Sequence, residues 1–274
     1  MSSSKIDIRM FRKTIREYYK KHKRSFPWRN TRNPYFILVS EVMLQQTQVG
    51  RVIPKYEMFI KLFPTISLLA KVSTRDVLGA WQGLGYNRRA LYLLSAAQTI
   101  ERDYGGVVPQ DSDALQKLAG IGRNTAGAIC VFAYNAPASF VETNIRSTFI
   151  HFFFKNRNKV RDKDIFPLVE KTIDVKNPRE WYWALMDYGV MLKERHLNPS
   201  RKSTHYKKQG AFKGSHREKR GLVLKILIKK SSQTLNALAL STNIDMPYLK
   251  KMLGDLQKEG FITQDKNFVK ISSH

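Results

Sequence analysis

Apolar residues recur every three to four positions through most of the first 195 residues, and short stretches carrying Pro, Gly, Asn or Asp separate the runs. This spacing predicts one amphipathic helix after another. Near the start, Phe11, Ile15, Tyr18 and Tyr19 share a helical face until Pro27 ends the pattern. Helices are expected over 36–49, 51–63, 74–82 and 87–104, the third closed by Gly83-Leu-Gly85 and the last by Gly105-Gly106. Residues 111–118 and 124–134 flank a Gly120-Ile-Gly122 turn, and Trp181-Tyr-Trp-Ala-Leu-Met-Asp-Tyr188 is a further apolar helix followed by Gly189. Strand-like alternation is scarce. At about residue 197 the pattern lapses; it resumes as helices over 220–230, 234–240 and 246–259 and closes on an apolar hairpin over 261–271.

The expected class is therefore mainly α. The length of 274 residues allows one large domain and a small one, or two medium ones. The domains predicted are 1–196, a basic linker or loop over 197–219, and 220–274, whose three helices and two-stranded wing resemble a winged helix-turn-helix with 246–259 as its recognition-type helix. Residues 201–230 hold 11 Lys or Arg against one acidic residue, Glu218; a solvated tether and a DNA contact both fit that run.

Charge narrows the partner. Lys and Arg number 48 against 22 Asp and Glu, a formal charge of +26. Such an excess favours a polyanion, and its spread along the chain without a long basic amphipathic helix favours nucleic acid over an acidic membrane. No apolar run reaches membrane-span length, and the first thirty residues lack a signal-peptide pattern. Cys130, the one cysteine, sits in an apolar stretch and reads as a small core residue in a reducing, intracellular compartment, cytoplasmic and associated with the nucleoid. The six histidines show no metal-ligand spacing, and His196, His205 and His216 read as solvated.

Two motifs carry candidate chemistry on their own residues. Gly120 and Gly122 can both take angles that a Cβ forbids, and the turn opens into a helix whose first N–H groups form a ready anion site; an ordinary helix-helix turn fits the same glycines. Ser40-Glu-Val-Met-Leu-Gln-Gln-Thr-Gln-Val49 places one carboxylate, Glu41, in a strongly apolar helix. Burial there would keep its proton on, as a general acid requires. The alternative is an exposed carboxylate, or one stabilised by the helix dipole.

These segments, with Val141-Glu-Thr-Asn-Ile-Arg146, resemble the helix-hairpin-helix DNA glycosylases over about residues 8–195, and the segment from Ser40 to Val49 is similar to the adenine glycosylases of the MutY type. The resemblance implies a two-lobed helical fold with a cleft between the lobes, and excision of a base flipped out of the duplex. Glu41 would protonate the adenine ring, Gln46 would touch the extruded base or its partner, and Tyr86 of Gly83-Leu-Gly-Tyr86 would wedge into the stack. Gly120, Gly122, Arg123 and Thr125 would bind the DNA backbone. Asn144 would orient the second carboxylate or the sugar.

Several positions depart from the family's pattern. Glu142 stands where the family has Asp; the extra methylene moves the carboxylate by up to ~1.5 Å, and ~1 Å errors can cost on the order of 100-fold in rate. A retuned site and a weakened one are both compatible with it. Asn87 replaces a second Tyr, and Ala119 replaces Pro. Asn124 replaces the Lys with which bifunctional members cut the strand, so base release without strand cutting is expected. Lys193 stands at the first cysteine of the family's iron–sulfur loop, so no cluster and no other cofactor are expected, with the basic 193–208 stretch as a substitute DNA contact. Residues 220–274 are too few for the Nudix-like domain of many adenine enzymes.

The function implied is release of adenine opposite 8-oxoguanine or guanine in double-stranded DNA by a monomer. The alternatives are a thymine or uracil mismatch glycosylase and a non-catalytic DNA-binding or regulatory protein on the same scaffold. An acid buried in an apolar helix without a use is costly, which weighs against the last.

Overall fold

The computed structural model describes residues 7–195 and 197–273, so His196 lies outside the described residues. Fourteen α-helices and three short strands are seen there. The chain divides into two compact units. One takes the chain up to Glu41, then Gln110–Lys117 and Ile121–Lys208; the other takes Val42–Pro109, Leu118–Gly120 and the chain from Gln209 onward.

The first unit holds α1 (Ile8–His22), most of α2 (Pro34–Leu44), α7 (Ser112–Gln116), α8 (Arg123–Tyr134), α9 (Thr143–Phe153), α10 (Asp162–Thr172) and α11 (Pro178–Arg195). Asp7 caps α1, its carboxylate accepting from the Arg9 amide, and Asp111 caps α7. The apolar face of α1 is buried: the Phe11 ring lies 5.3 Å from Phe149, 5.0 Å from Phe152 and 5.8 Å from Trp181. Helices α9 and α11 approach most closely at Gly189, where a Cβ would lie 2.2 Å from the Asn144 carbonyl oxygen. One turn earlier on α11, the Leu185 carbonyl accepts from the Thr148 hydroxyl at 3.0 Å.

The second unit holds α3 (Val49–Leu62), α4 (Ile66–Lys71), α5 (Thr74–Trp81), α6 (Arg88–Tyr104), α12 (His216–Lys229), α13 (Leu235–Thr242) and α14 (Met246–Lys258). Its sheet has the order β1-β3-β2. Strands β2 (Ile262–Asp265) and β3 (Phe268–Ile271) form the antiparallel hairpin, with Ile262 opposite Ile271, and β1 (Gln233–Thr234) pairs with the other edge of β3. The two-residue β1 is too short to show alternation, so the sequence pattern gives only the hairpin.

Arg75 on α5 fastens this carboxy-terminal module. It donates to the carbonyls of Leu227, Ile228 and Ser231 at 2.8–3.1 Å, orphan acceptors at and just past the end of α12. Arg88 and Arg220 both grip Glu259, at 2.9 and 2.6 Å. The hydrogen bond from Arg220 holds that carboxyl below its usual range, assisted by both positive charges.

Three expected elements differ, the first being the apolar helix over 181–188, which runs on through Gly189 to Arg195. The helix predicted over 36–49 stops at Leu44, and Gln46 turns into the left-handed region at φ 56°. The predicted linker is partly ordered: Pro199–Lys202 forms a 3-10 turn, Ser203 bridges to Val160, and α12 begins at His216 rather than 220. Among the described residues no helix is long and apolar enough to cross a membrane.

Candidate active site

In the first unit, Asn33 caps α2, its side-chain oxygen accepting from the amides of Tyr35 and Phe36. The helix then buries Ile37, Leu38 and Val39. Glu41 follows half-buried, its carboxyl pushed up to about 8, first by desolvation and then by the negative charge of Glu142. Arg29 pulls the other way, but its guanidinium is forked onto the buried Asp187 at 2.8 and 2.9 Å, and Arg24 holds the same carboxylate at 2.7 Å. Burial and the Glu142 charge together outweigh the pull of Arg29. At neutral pH Glu41 thus carries a proton that it can give away.

Glu142 is the N-cap of α9. One carboxylate oxygen accepts from the Asn144 amide at 3.1 Å and the other from Asn144 Nδ2 at 3.5 Å. The residue before it is clamped. Asn124 Nδ2 donates to the Val141 carbonyl at 3.0 Å, the Val141 amide donates back to Asn124 Oδ1 at 3.1 Å, and Arg146, forked onto Asp162 at 2.7 and 2.8 Å, also reaches that carbonyl. On the far side of Asn144, Lys193 Nζ donates to its Oδ1 at 2.6 Å, and burial lowers that ammonium from its usual range. A lysine only donates and a carboxylate only accepts, so the Asn144 amide has one orientation that serves both.

Of the residues singled out in the sequence, the fold places Asn144 on Glu142, and Glu142 close enough to Glu41 to act on its charge. Sequence reasoning misses Asn124 as an anchor, Lys193 as a brace and the Arg24–Arg29–Asp187 cluster. The one signal for that cluster was Asp187, a second carboxylate in an apolar helix.

In the second unit, Gln46 and Tyr86 both adopt left-handed backbone, at φ 56° and 49°, which costs a non-glycine residue on the order of 1–3 kcal/mol. The buried Arg89 offsets this by donating to the carbonyls of Val42, Met43, Gln45 and Gly85 at 2.6–2.9 Å and to the Thr47 hydroxyl at 2.9 Å. Burial brings its own pKa down to about 10. The exposed Tyr86 hydroxyl is contacted by Gln209 and by Arg217, whose guanidinium also lies 5.9 Å from the ring centre. Nothing in the sequence marks Arg89 apart from the other arginines.

The turn between α7 and α8 corrects one expectation. Gly120 is left-handed at φ 75°, and a Cβ there would lie 2.7 Å from Tyr92, so glycine is required. Gly122, at φ −89° with open space where a Cβ would project, does not need to be glycine for its backbone. Gln45 donates to the Gly120 carbonyl at 3.3 Å. Arg123 and Thr125 lie in the first turn of α8, with the Arg123 guanidinium 4.5 Å from the Phe166 ring centre.

An iron–sulfur cluster of the family's kind needs four thiolates, and the chain has one cysteine, Cys130, buried in α8 with its Sγ on the Gln110 carbonyl. The residues present do not fit that group. Among the described residues no three His, Cys, Asp or Glu side chains gather as a metal site. His205 and His216 are exposed, the latter against the Tyr248 hydroxyl.

A helical protein with a glycine turn opening into α8 and a protonated acid within electrostatic reach of a second carboxylate belongs to a definite class. Residues 39–170 match the HhH-GPD superfamily of base excision DNA repair proteins, and the chain belongs to that superfamily. It is 35% identical over 185 residues to the adenine DNA glycosylase of Buchnera aphidicola subsp. Baizongia pistaciae, covering 67% of this chain and 53% of that protein. With the adenine DNA glycosylase of Mycobacterium tuberculosis it shares 45% over 130 residues, 47% of this chain and 43% of that one. The chain thus spans about half the length of these relatives. Among solved structures, a thermostable thymine-DNA glycosylase superposes with a TM-score of 0.62 at 26% identity, covering 73% of this chain and 96% of that one. A non-covalent endonuclease III–DNA complex, at 21% identity with a TM-score of 0.57 and covering 70% of this chain and 87% of that one, shares the fold.

Proposed function

We propose that this chain is a monofunctional DNA glycosylase that flips adenine mispaired with 8-oxoguanine or guanine out of duplex DNA and releases it by hydrolysis. It acts as a monomer inside the cell and without an iron–sulfur cluster. The observation that carries the reading is the pair of unlike carboxyls: Glu41 held neutral by burial, Glu142 held in place as a cap. The similarity to adenine DNA glycosylases of bacteria and mammals supports the choice of base. Glu41 gives its proton to a ring nitrogen of adenine as the glycosidic electron pair leaves with the base. Positive charge then develops on the sugar, where the Glu142 carboxylate stabilises it until water adds at the sugar carbon and the water's proton returns to the Glu41 carboxylate. Asn124, both of whose amide atoms are engaged with Val141, offers no amine for a covalent sugar adduct.

A single-turnover base-release assay across A:8-oxoG, A:G, T:G and U:G duplexes tests this. Release is expected from the first two, with strands breaking only after alkali and borohydride trapping no adduct. The fold shared with a thymine-DNA glycosylase is why the pyrimidine arms belong in the assay. Release from T:G or U:G alone would reassign the substrate, and binding without release from any duplex would make the chain a non-catalytic DNA-binding protein.

A further inference from the structure

Two departures from the family's pattern, glutamate at 142 and lysine at 193, fall in one hydrogen-bonded row. Lys193 donates to Asn144 Oδ1 at 2.6 Å, and Asn144 presents its side-chain and backbone N–H groups to the two oxygens of Glu142. The helices make this row possible. Gly189 lets the α11 backbone lie directly on Asn144, and Lys193, four residues further along the same face, then arrives over the Asn144 side chain. Both Glu142 and Lys193 are half-buried.

A glutamate has one more rotatable bond than an aspartate and needs more to hold it in a single geometry. We infer that Lys193 is a positioning residue that braces Asn144 and, through it, fixes the Glu142 carboxylate for catalysis, compensating for the longer side chain. This rests on the glycosylase reading of Glu142. Charge acts in the same direction: burial, Arg146 and Arg24 lower the Lys193 ammonium from its usual range, and the Glu142 carboxylate is the one charge that opposes them.

The test compares Lys193→Met, Lys193→Arg, Asn144→Ala and the Lys193→Met/Asn144→Ala double variant by single-turnover base release and by affinity for an uncleavable duplex at matched salt. Lys193→Met should slow release roughly 10- to 100-fold, the scale of a misplaced catalytic group, while affinity changes far less than rate. Lys193→Arg, which keeps charge and donors, should recover most of the rate. Because the brace acts through Asn144, the double variant should be no slower than Asn144→Ala alone. A Lys193→Met enzyme as fast as wild type, an arginine variant as slow as methionine, or a double variant slower than Asn144→Ala would each overturn the inference and leave the glycosylase reading standing. A wild-type chain that releases no base would bring down that reading and this inference with it.

Discussion

Glu41 keeps its proton at neutral pH because the apolar turns of α2 strip away its water and because Glu142 is a like charge nearby, the two outweighing the pull of Arg29. Its folded pKa near 8 lies above the ordinary 4.5. As the acid must be protonated, base release should fall as pH rises through about 8. Glu41→Gln should lose at least about 100-fold in rate while duplex binding survives. Stability follows with a fixed sign: it is fully present below the unfolded value and is lost as pH rises through the folded one. Glu41→Gln should therefore melt with wild type at pH ~4 and above it at pH ~9, and thermal melts at the two pH values check this. The apolar helix around a lone carboxylate was legible in the sequence, but that pattern alone left burial and exposure open, and the family resemblance chose between them. The electrostatic setting of Glu41 was not legible, since Arg24, Arg29 and Asp187 meet only after 163 and 158 residues of chain have folded back.

Arg89 acts at the scale of elements. It ends α2 by taking the carbonyls of Val42 and Met43, and from the same guanidinium it holds Gly85 beside the left-handed Tyr86. The periodicity carries the predicted helix on to Val49 because Gln45 to Gln48 are locally acceptable in a helix; the stop comes from an arginine more than 40 residues later. Turns forced by glycine, such as that at Gly120, are visible in a sequence, whereas turns forced by a distant donor are not. Arg89→Met would leave several buried carbonyls without donors, at about 1–3 kcal/mol each before relaxation. The expected outcome is a clear loss in melting temperature together with slower base release, the latter because the turns carrying Gln46 and Tyr86 slacken. A variant that melts normally would show that water replaces the guanidinium.

For the whole molecule, the carboxy-terminal helices and hairpin are fastened to α5 and α6, the helices flanking the turn that carries Tyr86, through Arg75 and the Arg88–Glu259–Arg220 cluster. The Arg75→Ala/Glu259→Gln double variant should raise hydrogen exchange in α12 and leave α9 and α11 protected, as read by mass spectrometry; uniform exchange across all three would refute the fastening. The helices and hairpin over 220–271 were legible in the sequence pattern, but not their attachment, which depends on helix-end carbonyls that no composition reveals. Asn124 carries a consequence for descent. Both ends of its amide pin the segment that delivers Glu142, so a lineage that installed a lysine there to gain strand cutting would lose that anchor in the same step. Acquiring the second chemistry and retaining the first are thus in conflict at one codon, and a substitute anchor for Val141 would have to arise before the exchange became tolerable.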